Sequence, residues 1–298
     1  MDREIDIAID LNGYTGNCRT DLFAARVAPI QMQYLGFLGT MGANFIDYII
    51  ADKVLVPIDH QANYSEKIVY LPSYQPNDSQ RKISTQKMHR SDFGLKDDDF
   101  VFCCLNNTYK ILPDFFDCWM RILKKTSNSV LWLRDNGEFT SKNIQKEATS
   151  RGVDPKRIIF AKSIPIPEYL ARFQLADIFL DTFPYNAGTV GSDALRMGLP
   201  LITLCGNTFS SRMAASLLYA VNLPELITHS TKDYESLAIE LCQDKIKYIN
   251  IKDKLSANLP KSKLFDIDKY TRHIENAFMN VYNRLQNNED PEHIFIAD

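Results

Sequence analysis

The stretch Asp177-Ile-Phe-Leu-Asp181-Thr-Phe-Pro-Tyr-Asn-Ala-Gly188-Thr-Val-Gly191-Ser-Asp193-Ala-Leu-Arg-Met-Gly-Leu-Pro200-Leu-Ile-Thr203 decides how this chain is read. Ile178 to Leu180 is a continuous apolar run, the pattern of a strand covered on both faces. A glycine-containing loop follows, then a short helix expected to start at about Ser192, then a second apolar strand at Leu201–Leu204. Gly188 and Gly191 are expected to let the backbone approach a ligand closely. Free amides at a helix start, with the helix dipole behind them, suit phosphate oxygens.

Working outward, the same alternation recurs. Strands are predicted at 5–11, 31–35, 48–50, 67–71, 101–105, 130–133 and 158–160. Helices are predicted at 21–27, 113–124, 140–151, 167–174, 192–197 and 209–220. Strands alternating with helices at this spacing indicate parallel α/β sheets. Beyond residue 230 the pattern reads as purely helical, ending in 267–285. Residues 72–99 are polar and without period. The division expected is a first domain over 1–75, a linker over 76–99, a second α/β domain over 100–230 and a helical segment over 231–298.

Composition sets outer limits. At 298 residues there is room for two modest domains, and 45% hydrophobic with 24% charged residues is ordinary for a globular protein. The balance of 34 basic against 37 acidic residues, net −3, argues against a nucleic-acid partner. The acidic opening Met1-Asp-Arg-Glu-Ile-Asp6 leads into only a short apolar run, unlike a signal peptide, and no run is long enough to span a membrane. Six scattered cysteines without a Cys-x-x-Cys pair read as reduced thiols, which points to the cytoplasm. No metal-ligand spacing stands out, and Asp97-Asp-Asp99 reads as a polar turn ahead of a strand.

The residues say more than the pattern. The 177–203 run resembles the donor-binding segment of the O-GlcNAc transferase and SPINDLY family of glycosyltransferases. Leu35-Gly-Phe-Leu-Gly-Thr-Met-Gly-Ala43 with Asp47-Tyr-Ile-Ile-Ala-Asp52, Tyr64-Ser-Glu-Lys67 with Tyr74-Gln-Pro-Asn-Asp78, Leu105-Asn-Asn-Thr-Tyr-Lys-Ile111 and Ser211-Arg-Met-Ala-Ala-Ser216 resemble it too, in family order. The resemblance implies an α/β GT-B fold of two Rossmann-like domains, the N-terminal one incomplete. It implies that the strand at 5–11 belongs to the second half of that domain, with the opening part and the family's helical repeats encoded upstream. A C-terminal helix that crosses back to the first domain is also implied.

The implied reaction moves N-acetylglucosamine from UDP-GlcNAc to serine or threonine hydroxyls of an acceptor protein, with inversion and without metal or cofactor. Lys110 matches the family's diphosphate lysine and is the catalytic cation, on a loop where ligands of α/β sheets gather. Asn107 stands where the family has a glutamine. Gly188, Thr189 and Val190 align with a helix-start loop that often reads His-Thr-Thr, so an imidazole and a hydroxyl are replaced. Asp193 matches an acid near the ribose, with placement in the helix's first turn as its other role. Arg172 matches a family arginine, and Tyr169 stands where many members carry a histidine beside the base; a core role for Tyr169 is equally open. Arg212 is read as structural. Gly36, Gly39, Thr40 and Gly42 form a loop that in the family faces the cleft. No histidine here matches the proposed catalytic one. Two alternatives stay open: a nucleotide-sugar-binding chain without transfer activity, and a GDP-fucose-using enzyme of the SPINDLY type.

Overall fold

A computed structural model describes residues 4–78 and 80–298. Residues 1–3 and 79, which fall in the expected first domain and linker, lie outside the described residues. The chain forms two compact units, 1–76 with 208–210 and 266–298, and 77–207 with 211–265.

The first unit holds β1 (Ile7–Asp10), β2 (Ile30–Gln33), β3 (Tyr48–Ala51), β4 (Lys67–Tyr70) and a late strand, β11 (Ile294–Phe295), in that spatial order. Every pairing is parallel. Both central strands are buried end to end. β3 is an unbroken apolar run, whereas in β2 the buried Gln31 and Gln33 alternate with Ile30 and Met32 and donate their side-chain amides to backbone carbonyls. A short helix, α1 (Thr20–Ala24), links β1 to β2. The long C-terminal helix α9 (Ile267–Gln286) is capped by Asp266, which accepts from the Lys269 amide at 2.9 Å, and buries His273, Ala277 and Val281. Those three residues are four apart, so they share one face. Tyr270 on α9 hydrogen-bonds the Tyr34 hydroxyl beyond β2.

β11 corrects the reading of a purely helical C-terminal part. Ile294 pairs with Val69, and Phe295 stacks on Tyr70 at 4.7 Å between ring centroids. Two residues carry no detectable period; the free edge of β4 makes them a strand.

In the second unit β5 (Phe100–Cys104), β6 (Ser129–Arg134), β7 (Ile158–Ala161), β8 (Ile178–Leu180), β9 (Leu201–Leu204) and β10 (Ile227–Thr228) are all parallel, in the order β10-β9-β8-β5-β6-β7. Helices α2 (Pro113–Lys125), α3 (Glu138–Ser150), α4 (Ile166–Ala171), α5 (Thr189–Arg196), α6 (Met213–Ala220), α7 (Thr231–Gln243) and α8 (Lys245–Asn258) alternate with or follow them. The helix expected at 167–174 is α4 followed by a 3₁₀ turn, Arg172–Leu175, and only the second part of the one expected at 209–220 is α-helical. α2 buries Phe115, Phe116, Trp119 and Leu123 on one face, and the Trp119 indole donates to the Tyr234 hydroxyl of α7 at 3.3 Å.

The polar stretch from residue 77 onward packs within this unit. Arg90 donates to Asp177 Oδ2 at 2.9 Å and to the Asp99 carbonyl at 2.7 Å, and the same Asp177 oxygen accepts the Val101 amide. A stretch without period is thus held by these polar contacts together with two apolar anchors, the buried Leu95 and Phe93 edge-on to Trp132.

Helix α5 starts at Thr189, three residues before the start read from the sequence. Gly191 therefore lies inside the helix, not in the ligand loop expected for it. A Cβ at Gly191 would meet Leu201 Cδ1 at 3.0 Å, Ala187 Cβ at 3.1 Å and Leu217 Cδ1 at 3.2 Å. The missing side chain lets α5 press onto β9 and α6. Gly191→Val is expected to cost about 2–3 kcal/mol, from overpacking plus poorer helix propensity. Chemical denaturation would show it; a variant as stable as the parent would contradict this packing role.

Candidate functional site

The strand order reverses between β5 and β8, which pair directly through Phe102 with Ile178 and Cys103 with Phe179. In open parallel sheets the loops leaving such neighbouring strands diverge and leave a crevice at their carboxyl ends. The loop after β5 carries Asn106 to Lys110, and the loop after β8 carries Asp181 to Gly188.

Lys110 closes a 3₁₀ turn, Thr108–Lys110. Its ammonium donates to the Asn186 carbonyl at 3.1 Å and lies 4.0 Å from the centroid of the Tyr185 ring. Burial lowers the pKa of this amine, while the nearby Asp181 and Cys104 oppose the drop. Asn186 lies just ahead of Gly188, which precedes α5. The Lys110 ammonium thus reaches the loop that leads into α5, whose first amides, those of Thr189 and Val190, have no acceptor within the helix. Asn107 flanks the same turn, and its side-chain Oδ1 accepts from Arg134 at 2.8 Å.

Beneath this turn sits Asp181, fully buried. Oδ1 accepts the Thr182 and Ala187 amides at 2.8 and 2.7 Å, and Oδ2 accepts the Thr203 hydroxyl at 2.7 Å. Burial pushes its carboxyl up to about 6, against the pull of these donors and of Lys110. Asn106 Nδ2 reaches the Thr182 hydroxyl at 3.0 Å. Sequence reading assigned Asp181 no role, although an acid directly after three buried apolar residues was a visible signal.

Tyr169 projects from α4, edge-on to Phe173 at 5.2 Å and 4.8 Å from the Arg172 guanidinium. Burial raises its phenol pKa. Arg172 is 3% exposed; it donates to the Lys162 carbonyl at 2.8 Å, and its Nε has no acceptor among the described residues. That orphaned donor is a costly thing to bury without a partner.

Asp193 is buried within α5, past the first turn where the sequence reading put it. Its oxygens are held by Arg81, one contact at 3.3 Å, and approached by Asn77 Nδ2 at 3.4 Å. A carboxylate this far from water needs such a counter-charge. Arg81 and Asp193 both act electrostatically on Tyr169, so these side chains form one cluster.

The loop residues Gly36, Gly39, Thr40 and Gly42 belong to the first unit. A Cβ on Gly36 would strike the Leu11 carbonyl, so its close approach is to its own chain. Gly42 has a φ of +59°, which favours glycine. Thr40 Oγ1 and the Met41 amide both donate to the buried Glu66 at 2.6 Å.

A cavity of about 380 Å³ opens on another side of the Lys110 turn, lined by Thr108, Tyr109, Ile111, Phe116, Ile144 and Arg151 among others. Lys110 and the start of α5 are not part of its wall.

The family model for glycosyl transferase family 41 matches residues 1–79 and 73–274. The probable UDP-N-acetylglucosamine–peptide N-acetylglucosaminyltransferase SEC of Arabidopsis thaliana is 36% identical over 99% of this chain and 31% of its own length. The UDP-N-acetylglucosamine–peptide N-acetylglucosaminyltransferase of Caenorhabditis elegans is 27% identical, over 97% of this chain and 35% of its own. This chain therefore spans about a third of the length of these relatives. Among solved structures, a point variant of the Thermobaculum terrenum O-GlcNAc transferase superposes with a TM-score of 0.83 at 28% identity, covering 93% of this chain and 53% of that one. Sucrose-phosphate synthase of Thermosynechococcus elongatus shares the fold alone, at a TM-score of 0.64 and 11% identity over 89% of this chain and 71% of its own.

Proposed function

The chain belongs to glycosyl transferase family 41, and we propose that it serves transfer of N-acetylglucosamine from UDP-GlcNAc to serine or threonine hydroxyls of a protein. One observation carries the reading: the Lys110 ammonium rests against the Asn186 carbonyl, beside the start of α5 at the strand-order reversal. The leaving group of such a transfer is a nucleoside diphosphate, on which negative charge grows as the glycosidic bond breaks. A half-buried ammonium and preorganised amides stabilise that charge without a metal. Asn107, Tyr169 and Arg172 would hold the nucleotide, with the Arg172 Nε supplied by a ligand acceptor. Gly188, Thr189 and Val190 would offer backbone amides, and Asp193 would act through α5.

The acceptor hydroxyl would be bound with the help of the Gly36, Gly39, Thr40 and Gly42 loop, and an upstream helical-repeat region would select the protein. We place the chain in the cytoplasm; among the described residues no helix is long and apolar enough to cross a membrane.

A second reading, donor binding without transfer, is favoured by Gly188 and Val190, where the family often has an imidazole and a hydroxyl. Calorimetry with UDP and GDP, followed by transfer of radiolabelled sugar from each donor to cell protein, tests both. UDP binding with transfer supports the first reading, and binding without transfer the second. Tighter GDP binding with fucose transfer would replace both with the fucosyltransferase reading. No binding of either nucleotide would contradict all three.

A further inference from the structure

The Lys110 ammonium donates to the Asn186 carbonyl and lies over the face of the Tyr185 ring, 4.0 Å from its centroid. A ligand affects these two contacts differently. The carbonyl is one acceptor, which a phosphate oxygen can replace. The ring face attracts the positive charge through its quadrupole and stays beside it when the acceptor changes.

Tyr185 is held in place by its own loop. Its carbonyl accepts the Thr182 hydroxyl at 2.7 Å, and the buried Asn186 that follows donates its side-chain amide to the Thr182 carbonyl at 2.8 Å. Burial raises the phenol pKa, so at physiological pH Tyr185 is neutral and offers Lys110 a ring face, not a phenolate. Half-burial works against a charged amine, and a ring at this distance offsets part of that cost. We propose that Tyr185 is a positioning residue of the phosphate site, whose ring face holds the charged Lys110 ammonium beside the loop that leads into α5. This rests on reading the second unit as the donor site.

The test is calorimetric titration of UDP and of uridine on the wild type, Tyr185→Phe, Tyr185→Leu and a protein with pentafluorophenylalanine introduced at position 185. Tyr185→Phe keeps the ring face and binds UDP within about twofold of wild type; Tyr185→Leu removes it and binds about threefold to tenfold more weakly. Pentafluorophenylalanine keeps nearly the shape of phenylalanine but inverts the charge on the ring face, so UDP binds at least as weakly as to Tyr185→Leu. Uridine, lacking phosphates, binds all four proteins within about twofold. The fluorinated ring separates attraction for the cation from mere packing, which fluorination barely alters. Equal UDP affinity for the phenyl and pentafluorophenyl proteins would overturn the inference. Tighter UDP binding to Tyr185→Leu than to wild type would overturn it too, because the ring would then block the site. Should Tyr185→Leu not fold, the fluorinated protein carries the test; if neither folds, the ring is purely structural and the inference falls. A wild type that binds uridine but gains nothing from the phosphates removes the donor reading itself, whatever the variants do.

Discussion

Lys110→Ala is expected to weaken UDP binding by about 1.5–3 kcal/mol, roughly ten- to a hundredfold or more. The range is that of hydrogen bonds to a charged group. The upper part applies here because burial already lowers the pKa of this amine, so water contributes little to its solvation. A diphosphate reaching it would replace the modest acceptor it has now, the Asn186 carbonyl at 3.1 Å. The loss should fall on the phosphates: uridine should bind the variant and the parent within about twofold. Isothermal titration with both ligands, on a variant that melts as the parent does, checks this. Equal UDP affinity in the two proteins would remove Lys110 from the site.

Arg81→Ala is expected to destabilise the second unit by about 3 kcal/mol, the low end for breaking a buried ion pair. Arg81 keeps 26% side-chain exposure, but Asp193 keeps only 3%, so removing the guanidinium strands a charge inside α5. Asn77 offers one long contact in its place. Asp193→Asn should cost less, since it removes the charge that needs a partner. Urea unfolding of both variants orders the effects; an Arg81→Ala protein as stable as Asp193→Asn would show that Asp193 is solvated in solution.

How far the sequence could be read follows from where the information sits. Ile178–Leu180 was legible as an unbroken apolar run, and Leu201–Leu204 as one interrupted only by Thr203, the pattern of buried parallel strands. The start of α5 was not, because Thr189, Val190 and Gly191 have poor helix propensity, and the close seat of Gly191 on Leu201 and Leu217 is made by tertiary packing. Ile294–Phe295 was invisible for the same kind of reason, an element made by its neighbour.

In the candidate site, the position of Lys110 on the loop after a strand was legible from the apolar run ahead of it. Its partner was not: a contact to the Asn186 carbonyl involves a backbone group, and no residue type announces it. Arg81 lies in a polar stretch without period, so nothing local marked it as the counter-charge of Asp193. Asp181 was in plain view, directly after the strand read at Ile178–Leu180, but was assigned no role. Its role depends on donors from three separate segments, at Asn106, Ala187 and Thr203.

The most direct test is a crystal structure of the chain with UDP. The expected result is diphosphate oxygens about 3 Å from Lys110 Nζ and from the amides of Thr189 or Val190. A nucleotide seated elsewhere, with the Lys110 amine still on the Asn186 carbonyl alone, would contradict the account.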